Sequence, residues 1–473
     1  MAPALSLRSR AAARAGGWAA EASRRLGGGE GLVIGGRVSL ALDPSLLAGL
    51  SRDRAVALVS GTNGKTTTTR LLASALMELG PVAHNSGGAN LPSGLVPALA
   101  GSPAGSPAAL EVDEGWLGAV ADAVSPGCVV LLNLSRDQLD RVSEVRNVAS
   151  RWRSVVERLG HAVVVANADD PMVVWASRDA AHVRWVAGGQ SWREDAAGCP
   201  SCSGRIDYDS EGWRCGTGCG LERPAPAAWV SGSQLVVPGK GNHSIELALP
   251  GRFNLANAAM AAVAAAEMGV PLERATAAMS QVTGVDGRYE VTAAGGISAR
   301  LLLAKNPAGW AELFDVLTED VAPAVFAINA RVADGRDPSW LWDVPFERLA
   351  GRLVVASGER WRDLAVRLRY AGVDHVCAPD PLASLELAAE HYGTGTGAAV
   401  QVDRCADPGV RRDFRSASDR EGEGRAERAV ADDRGRRIVD VVANYTAFQR
   451  YRAALRPLRD APRLADQAPV SLK

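Results

Sequence analysis

The stretch VSGTNGKTTTTRLL, Val59 to Leu72, does most to restrict what this 473-residue chain can become. A short apolar run, Ala55 to Val59, precedes it and is long enough for one buried strand. After it, Leu71, Leu72, Ala75, Leu76 and Leu79 recur at three- and four-residue spacing, which predicts a helix. Strand, glycine-rich turn and helix form the setting that a phosphate-binding loop requires. Gly61 and Gly64 permit the sharp turn that aims backbone N–H groups at an anion. The residues Gly61, Thr62, Asn63, Gly64, Lys65, Thr66 and Thr67 are therefore the candidate ATP-binding loop. Lys65 is placed to reach terminal phosphate oxygens, and the Thr66 hydroxyl to ligate Mg2+. The helix N-terminus adds its partial positive charge. The general pattern is met incompletely, because its first glycine falls at Val59. The alternative is a structural turn that binds nothing.

A chain of this length predicts two or three domains of roughly 100–200 residues. It is 47% hydrophobic, so each can bury a core, and its net charge of −1 gives no electrostatic case for a nucleic-acid partner. No stretch approaches the roughly 20 apolar residues that span a bilayer. The N-terminus, Leu5 to Leu26, carries Arg8, Arg10, Arg14, Arg24 and Arg25 without the apolar core of a signal peptide. It reads as a surface helix on a cytoplasmic protein, with loose attachment to the inner face of the membrane as an option.

Strand-like runs at Ala55–Val59, Ala108–Val112, Cys128–Leu132 and Ala162–Ala166 alternate with helical patterns. This predicts an α/β fold with a parallel sheet flanked by helices. A Cys-rich insertion at 198–220 is followed by a long Ala-rich helix in GRFNLANAAMAAVAAAEMG. After GVDGRYE a second alternation begins: Ala299–Ala304, Val325–Asn329, Arg352–Ser357, His375–Cys377 and finally Ile438–Ala443. The expected layout is an N-terminal segment over 1–50, a central ATP-binding domain over 51–288, a smaller Rossmann-like C-terminal α/β domain over 289–450, and a tail over 451–473. The charged, Gly-rich stretch 411–437 is expected to be disordered.

In phosphate-loop ATPases a carboxylate at the end of a neighbouring strand holds Mg2+. AALEVDEGW supplies Glu111, Asp113 and Glu114 there; Glu114, at the strand's exit, is the favoured magnesium ligand and Glu111 the second choice. Cys199, Cys202, Cys215 and Cys219 have the spacing C-x2-C-x12-C-x3-C, which suits a tetrahedral Zn2+. With all four positions filled by protein, such a site is structural. Disulfides are the alternative.

GTNGKT, the strand-end acid, NLSRDQLDR, NADDP, GRFNLANAAMAA and GVDGRYE occur in the order used by the Mur ligases and folylpolyglutamate synthases, which this chain resembles over about residues 50 to 450. Those enzymes phosphorylate a carboxylate with ATP, and an amine then attacks the acyl phosphate. The resemblance implies that Lys65 and Thr66 serve the phosphates and Mg2+, that Asn257 and Asn254 face the adenine, and that Arg288 contacts the phosphates. An asparagine does offer the donor and acceptor an adenine edge needs, although helix capping is an equal account of Asn254. Gln138 stands where most Mur ligases place a His that ligates a second Mg2+, which puts that second metal in doubt.

Only about 50 residues precede the loop, so a UDP-linked substrate is not expected to be held in the usual way. The cysteine knuckles, LLLAKNPAGW, ADGRDPSWLWDVPFE and YTA narrow the resemblance to the synthetase subunits of lipid II isoglutaminyl synthase. In that family the subunit pairs with a GatD-type glutamine amidotransferase, whose ammonia amidates the α-carboxylate of D-glutamate in the lipid II stem peptide. None of the seven cysteines sits in a glutaminase-like context, so ammonia is expected from a partner or from solution. The resemblance further implies that Asp337 or Asp343 completes the partner's Cys–His pair; Asp337 read alone is as readily a cap before Pro338. The competing readings are a stand-alone Mur-type or folylpolyglutamate-synthase-like ligase and a non-catalytic ATP- and zinc-binding scaffold.

Overall fold

The arginine-rich N-terminus does form a helix, and two more follow it: α1 (Leu7–Arg25), α2 (Leu32–Leu42) and α3 (Leu46–Ser51). The Ser6 hydroxyl caps α1 by accepting from the Ser9 N–H at 3.0 Å. Helices α1 and α2 cross at glycines. A Cβ on Gly16 would lie 2.4 Å from the Gly35 carbonyl oxygen, and one on Gly35 would lie 2.6 Å from that of Gly16. No larger residue permits this approach. The structure, a computed structural model, describes residues 5–26, 31–85, 88–136, 145–190, 192–210, 212–285, 287–294, 296–317, 322–391 and 436–460. The Gln138 position and nearly all of the charged 411–437 stretch lie outside the described residues. Two units are distinguished, one of the described residues up to 285 and one from 287 onward.

In the first unit β1 (Val56–Ser60), α4 (Lys65–Leu76), β2 (Ala83–His84), α5 (Pro92–Ala100), β3 (Ala108–Glu111) and α6 (Leu117–Val124) come first. They are followed by β4 (Cys128–Leu131), α7 (Val145–Arg158), β5 (Val163–Asn167), α8 (Pro171–Ser177) and β6 (Val183–Ala187). A small hairpin, β7 (Ile206–Tyr208) and β8 (Trp213–Cys215), forms its own two-stranded sheet. Then come β9 (Ala228–Ser231), β10 (Gln234–Val237), β11 (Gly241–Ser244), α9 (Arg252–Glu267) and α10 (Leu272–Met279). The nine-stranded sheet runs β11-β10-β9-β6-β5-β4-β1-β3-β2, parallel except for the β9–β10–β11 meander. Strands β1, β3 and β4 are wholly buried, which explains their apolar sequences, broken only by Ser60 and Glu111 at the ends of β1 and β3. Helix α9 is buried nearly all round, and its alanines let it lie against α4.

The second unit contains β12 (Tyr289–Ala294), β13 (Ile297–Leu303), α11 (Pro307–Leu317), β14 (Ala324–Ala327) and β15 (Val354–Ser357). It continues with α12 (Trp361–Tyr370), β16 (His375–Cys377), α13 (Pro381–Glu390), β17 (Ile438–Ala443) and α14 (Tyr445–Asp460). Its six-stranded sheet has the order β12-β13-β17-β14-β15-β16, with only β12 antiparallel. Trp310, Phe314, Phe326, Trp340 and Phe346 form an aromatic cluster on one side of it, Trp310 and Phe326 edge to face at 5.1 Å.

Candidate active site

The turn after β1 takes the conformation its glycines allow. Gly64 has φ +83°, which strains any other residue, and a Cβ there would also displace the Asn257 side chain, whose Oδ1 would lie at 2.5 Å. Lys65 opens α4 and folds back over the turn. Its Nζ donates to the Gly61 carbonyl, to the Thr62 carbonyl at 3.2 Å, and to Glu114 Oε2 at 3.0 Å. The ammonium is buried and its charge is met by Glu114, just beyond β3. Thr66 Oγ1 is buried with no hydrogen-bond partner among the described residues, and so is Glu111 Oε2. Burying such oxygens without a partner is costly, so an arriving cation or its water would find acceptors in place. This donor set of hydroxyl and carboxylate oxygens is the kind Mg2+ takes.

The turn is held by the chain leaving β4, which lies beside β1 in the sheet. The Asn133 carbonyl accepts from the Thr62 N–H at 2.9 Å, and its Oδ1 accepts from the Asn63 N–H at 2.9 Å. Asn133 Nδ2 returns a bond to the Asn63 carbonyl at 3.1 Å. The Ser135 N–H donates to Thr62 Oγ1 at 3.0 Å. Asn133 thus takes the Thr62 and Asn63 N–H groups, and the N-terminus of α4 follows directly on the turn. Asn257 lies against Gly64, whereas Asn254 Nδ2 donates to the Pro250 carbonyl at 2.6 Å, a local bond at the start of α9. Arg288 is in the second unit, where its carbonyl accepts from the Leu303 N–H.

Asp170 ties this clasp to the next helix. Its carboxylate caps α8 by accepting from Met172 and Val173 and also accepts from Leu134 N–H at 2.9 Å. Full burial pushes its pKa up to about 6, against the pull of those three backbone donors. Trp213 Nε1, in the Cys-rich hairpin, donates to the Ala168 carbonyl at 3.0 Å, and Arg223 pairs with Asp169 at 2.8 Å. The hairpin brings Cys199, Cys202, Cys215 and Cys219 together with their sulfurs within 4.8 Å of one another. The Cys199–Cys219 and Cys202–Cys215 sulfurs are 3.6 and 3.4 Å apart, near the roughly 3.8 Å separation that 2.3 Å Zn–S bonds set in a tetrahedron. All four are free thiols here, so the disulfide alternative is not realised among them.

In the second unit the DGRDPSWLWD loop is pinned from both ends. Asp334 is buried, accepting from the Thr446 N–H at 2.8 Å and from its hydroxyl. Trp340 inserts into the aromatic cluster. Between these anchors Asp337 is exposed and accepts from the Ser339 N–H at 2.8 Å, opening the short helical turn Ser339–Asp343. Asp343 is exposed at the end of that turn. Trp342 is 54% exposed and meets Tyr370 edge to face at 5.4 Å.

Two families match. The Mur ligase middle domain covers residues 59–266 and the MurT ligase C-terminal domain covers residues 303–392. The lipid II isoglutaminyl synthase subunit MurT of Streptococcus pneumoniae is 28% identical over 378 residues, 73% of this chain and 83% of that protein. Its counterpart from Staphylococcus aureus is also 28% identical, over 75% and 86%. The chain belongs to the MurT family of Mur ligases. It is thus an ATP-dependent ligase by family. Among solved structures, a pseudomurein peptide ligase of type C from Methanothermus fervidus shares the fold at TM-score 0.59 and 17% identity, over 86% of this chain and 79% of that one. The Mycobacterium tuberculosis folylpolyglutamate synthase with ADP shares it at TM-score 0.54 and 15% identity, over 88% and 93%.

The MurT fold therefore gathers Gly61, Gly64, Lys65, Thr66, Glu111, Glu114 and Asn257 in one unit. Asn133, Ser135 and Asp170 have roles that only the fold reveals. Their motifs were visible as NLSRDQLDR and NADDP, but nothing local shows that one grips the phosphate loop and the other the grip. Thr446, in YTA, was likewise visible without its partner Asp334.

Proposed function

We propose that the chain is the synthetase subunit of a lipid II isoglutaminyl synthase. An α-carboxylate oxygen of D-glutamate in the stem peptide attacks the γ-phosphorus of ATP. The bond to the bridging oxygen breaks, giving ADP and an acyl phosphate. Ammonia then adds to the carbonyl carbon, phosphate leaves with the C–O electron pair, and the nitrogen sheds a proton. Lys65 exchanges Glu114 for phosphate oxygens and offsets their charge. Thr66 and Glu114, with Glu111 as the second choice, would hold Mg2+, which would supply positive charge to the phosphates. Asn257, with Asn254 as the second choice, faces the adenine, and Arg288 serves the phosphates. Zn2+ on Cys199, Cys202, Cys215 and Cys219 is structural.

Ammonia comes from a GatD-type glutamine amidotransferase partner, whose catalytic His is oriented by Asp337 or Asp343. The substrate is lipid-anchored, so the protein works in the cytoplasm at the inner face of the membrane. The observation that carries the reading is the Lys65–Glu114 pair beside the unpartnered Thr66 hydroxyl, in a chain whose relatives bear this name. Lys65→Ala tests it. Turnover should vanish with glutamine and with ammonium alike, because acyl-phosphate formation precedes any use of nitrogen. Substantial ammonium-dependent activity in that variant would remove Lys65 from the chemistry.

A further inference from the structure

Helix α1 has one face that packs and one that does not. Ser9, Ala12, Gly16 and Ala20 are buried. On the opposite side Leu7, Ala11, Arg14, Trp18 and Arg25 follow the helical repeat, and all five are exposed. Leu7 is 79% and Trp18 76% exposed, a large apolar area to leave in water. Charge on this helix is one-sided: Arg8, Arg10, Arg14, Arg24 and Arg25 stand against Glu21 alone. Glu21 engages Arg24 and Arg25, and Arg8 donates to the Leu42 carbonyl, whereas Arg10 and Arg14 make no ion pair among the described residues.

We infer that the outward face of α1 is a docking surface for an anionic lipid bilayer. Arginines around a tryptophan and a leucine on one helical stripe combine electrostatic attraction to acidic headgroups with shallow apolar insertion. Indole suits the headgroup level, where its ring is in apolar surroundings and its N–H stays wet. No helix among the described residues is long and apolar enough to cross a membrane, so the contact is interfacial. The Gly16–Gly35 crossing holds the stripe rigidly outward. The inference deepens the proposed function, since it rests on a membrane-anchored acceptor for its use, though not for its physics.

The test is sedimentation of the full-length chain with vesicles of phosphatidylcholine alone or mixed with phosphatidylglycerol, without nucleotide or acceptor. Binding should require phosphatidylglycerol and fade as salt rises. Each arginine near an anionic surface contributes roughly a fivefold change in partitioning, so Arg10→Ala with Arg14→Ala should weaken it roughly 25-fold. Trp18→Ser should weaken it as well. All three positions are exposed, and unchanged thermal unfolding of the variants would show that the fold is kept. Equal binding to both vesicle types, no binding, variants that bind as well as the wild type, or binding to duplex DNA instead would each overturn the inference. Vesicle binding is read apart from turnover, so a failed amidation assay leaves this result intact, and the reverse holds too.

Discussion

Lys65 Nζ lies 3.0 Å from Glu114 Oε2, with both side chains largely withdrawn from water. Each charge is met by the other; on the proposed reading the carboxylate would stand in for a phosphate, and the ammonium for a metal ion. On the same reading, magnesium and ATP bound together would give the carboxylate a cation and the ammonium an anion in exchange for each other.

Glu114→Gln should therefore act first on magnesium. We expect the Mg2+ concentration for half-maximal ADP release to rise on the order of 10- to 100-fold, as loss of a metal-supporting carboxylate does elsewhere. A magnesium titration of the purified variant measures it. An unchanged profile would transfer the ligand role to Glu111.

Asn133→Ala removes both side-chain bonds to Asn63. Leaving those backbone groups unpaired should cost about 1–3 kcal/mol of stability. ATP affinity should fall with it, because the loop loses its fixed shape. Denaturant unfolding and calorimetric nucleotide titration check the two effects. Lost stability at unchanged affinity would reduce Asn133 to a structural tie.

Sequence and structure divide unevenly here. Strands β1, β3, β4 and β5 were legible because their burial demands apolar runs, interrupted only at the strand ends. The β9–β10–β11 meander was not: its strands are short and partly exposed, so their apolar pattern is weak. The phosphate loop was legible because its parts are consecutive in the chain. Its clasp was not, since Thr62 and Asn133 meet only through the placement of β4 beside β1. The same holds for Asp334 and Thr446, joined because β14 and β17 are neighbours.

The purified protein should carry about one Zn2+ per chain on Cys199, Cys202, Cys215 and Cys219. Cys202→Ser should lower the unfolding temperature more than it changes the chemistry, since a closed site contributes folding free energy. Elemental analysis and a thermal melt decide it. Metal-free protein prepared without chelators would contradict it.

Asp170 predicts a pH effect. Its folded pKa of about 6 lies above the ordinary carboxyl value, so its contribution to stability is fullest at low pH and is lost as pH rises through about 6. Denaturant unfolding of wild type and Asp170→Asn should show the wild-type advantage shrinking between pH 4.5 and pH 7, by up to about 2 kcal/mol. Parallel pH curves would mean that its backbone donors keep it ionised throughout.

Asp337→Asn and Asp343→Asn should be compared in the two-subunit complex. One of them should lose glutamine-dependent amidation by up to about 10^4-fold, the cost of an orienting carboxylate, and keep much of the ammonium-dependent rate. Equal loss with both donors would place that aspartate at the ATP or acceptor site. No loss from either would reduce the loop to a cap on the Ser339–Asp343 turn.

The most direct measurement follows isotopically labelled ammonium. Purified chain, ATP, Mg2+ and lipid II are incubated with it, and the stem peptide is sequenced by mass spectrometry. The account predicts one labelled nitrogen, on the α-carboxamide of D-glutamate, with ADP formed in equal amount and neither product from Lys65→Ala. Label at another carboxylate, or ADP formation without labelled peptide, would contradict it.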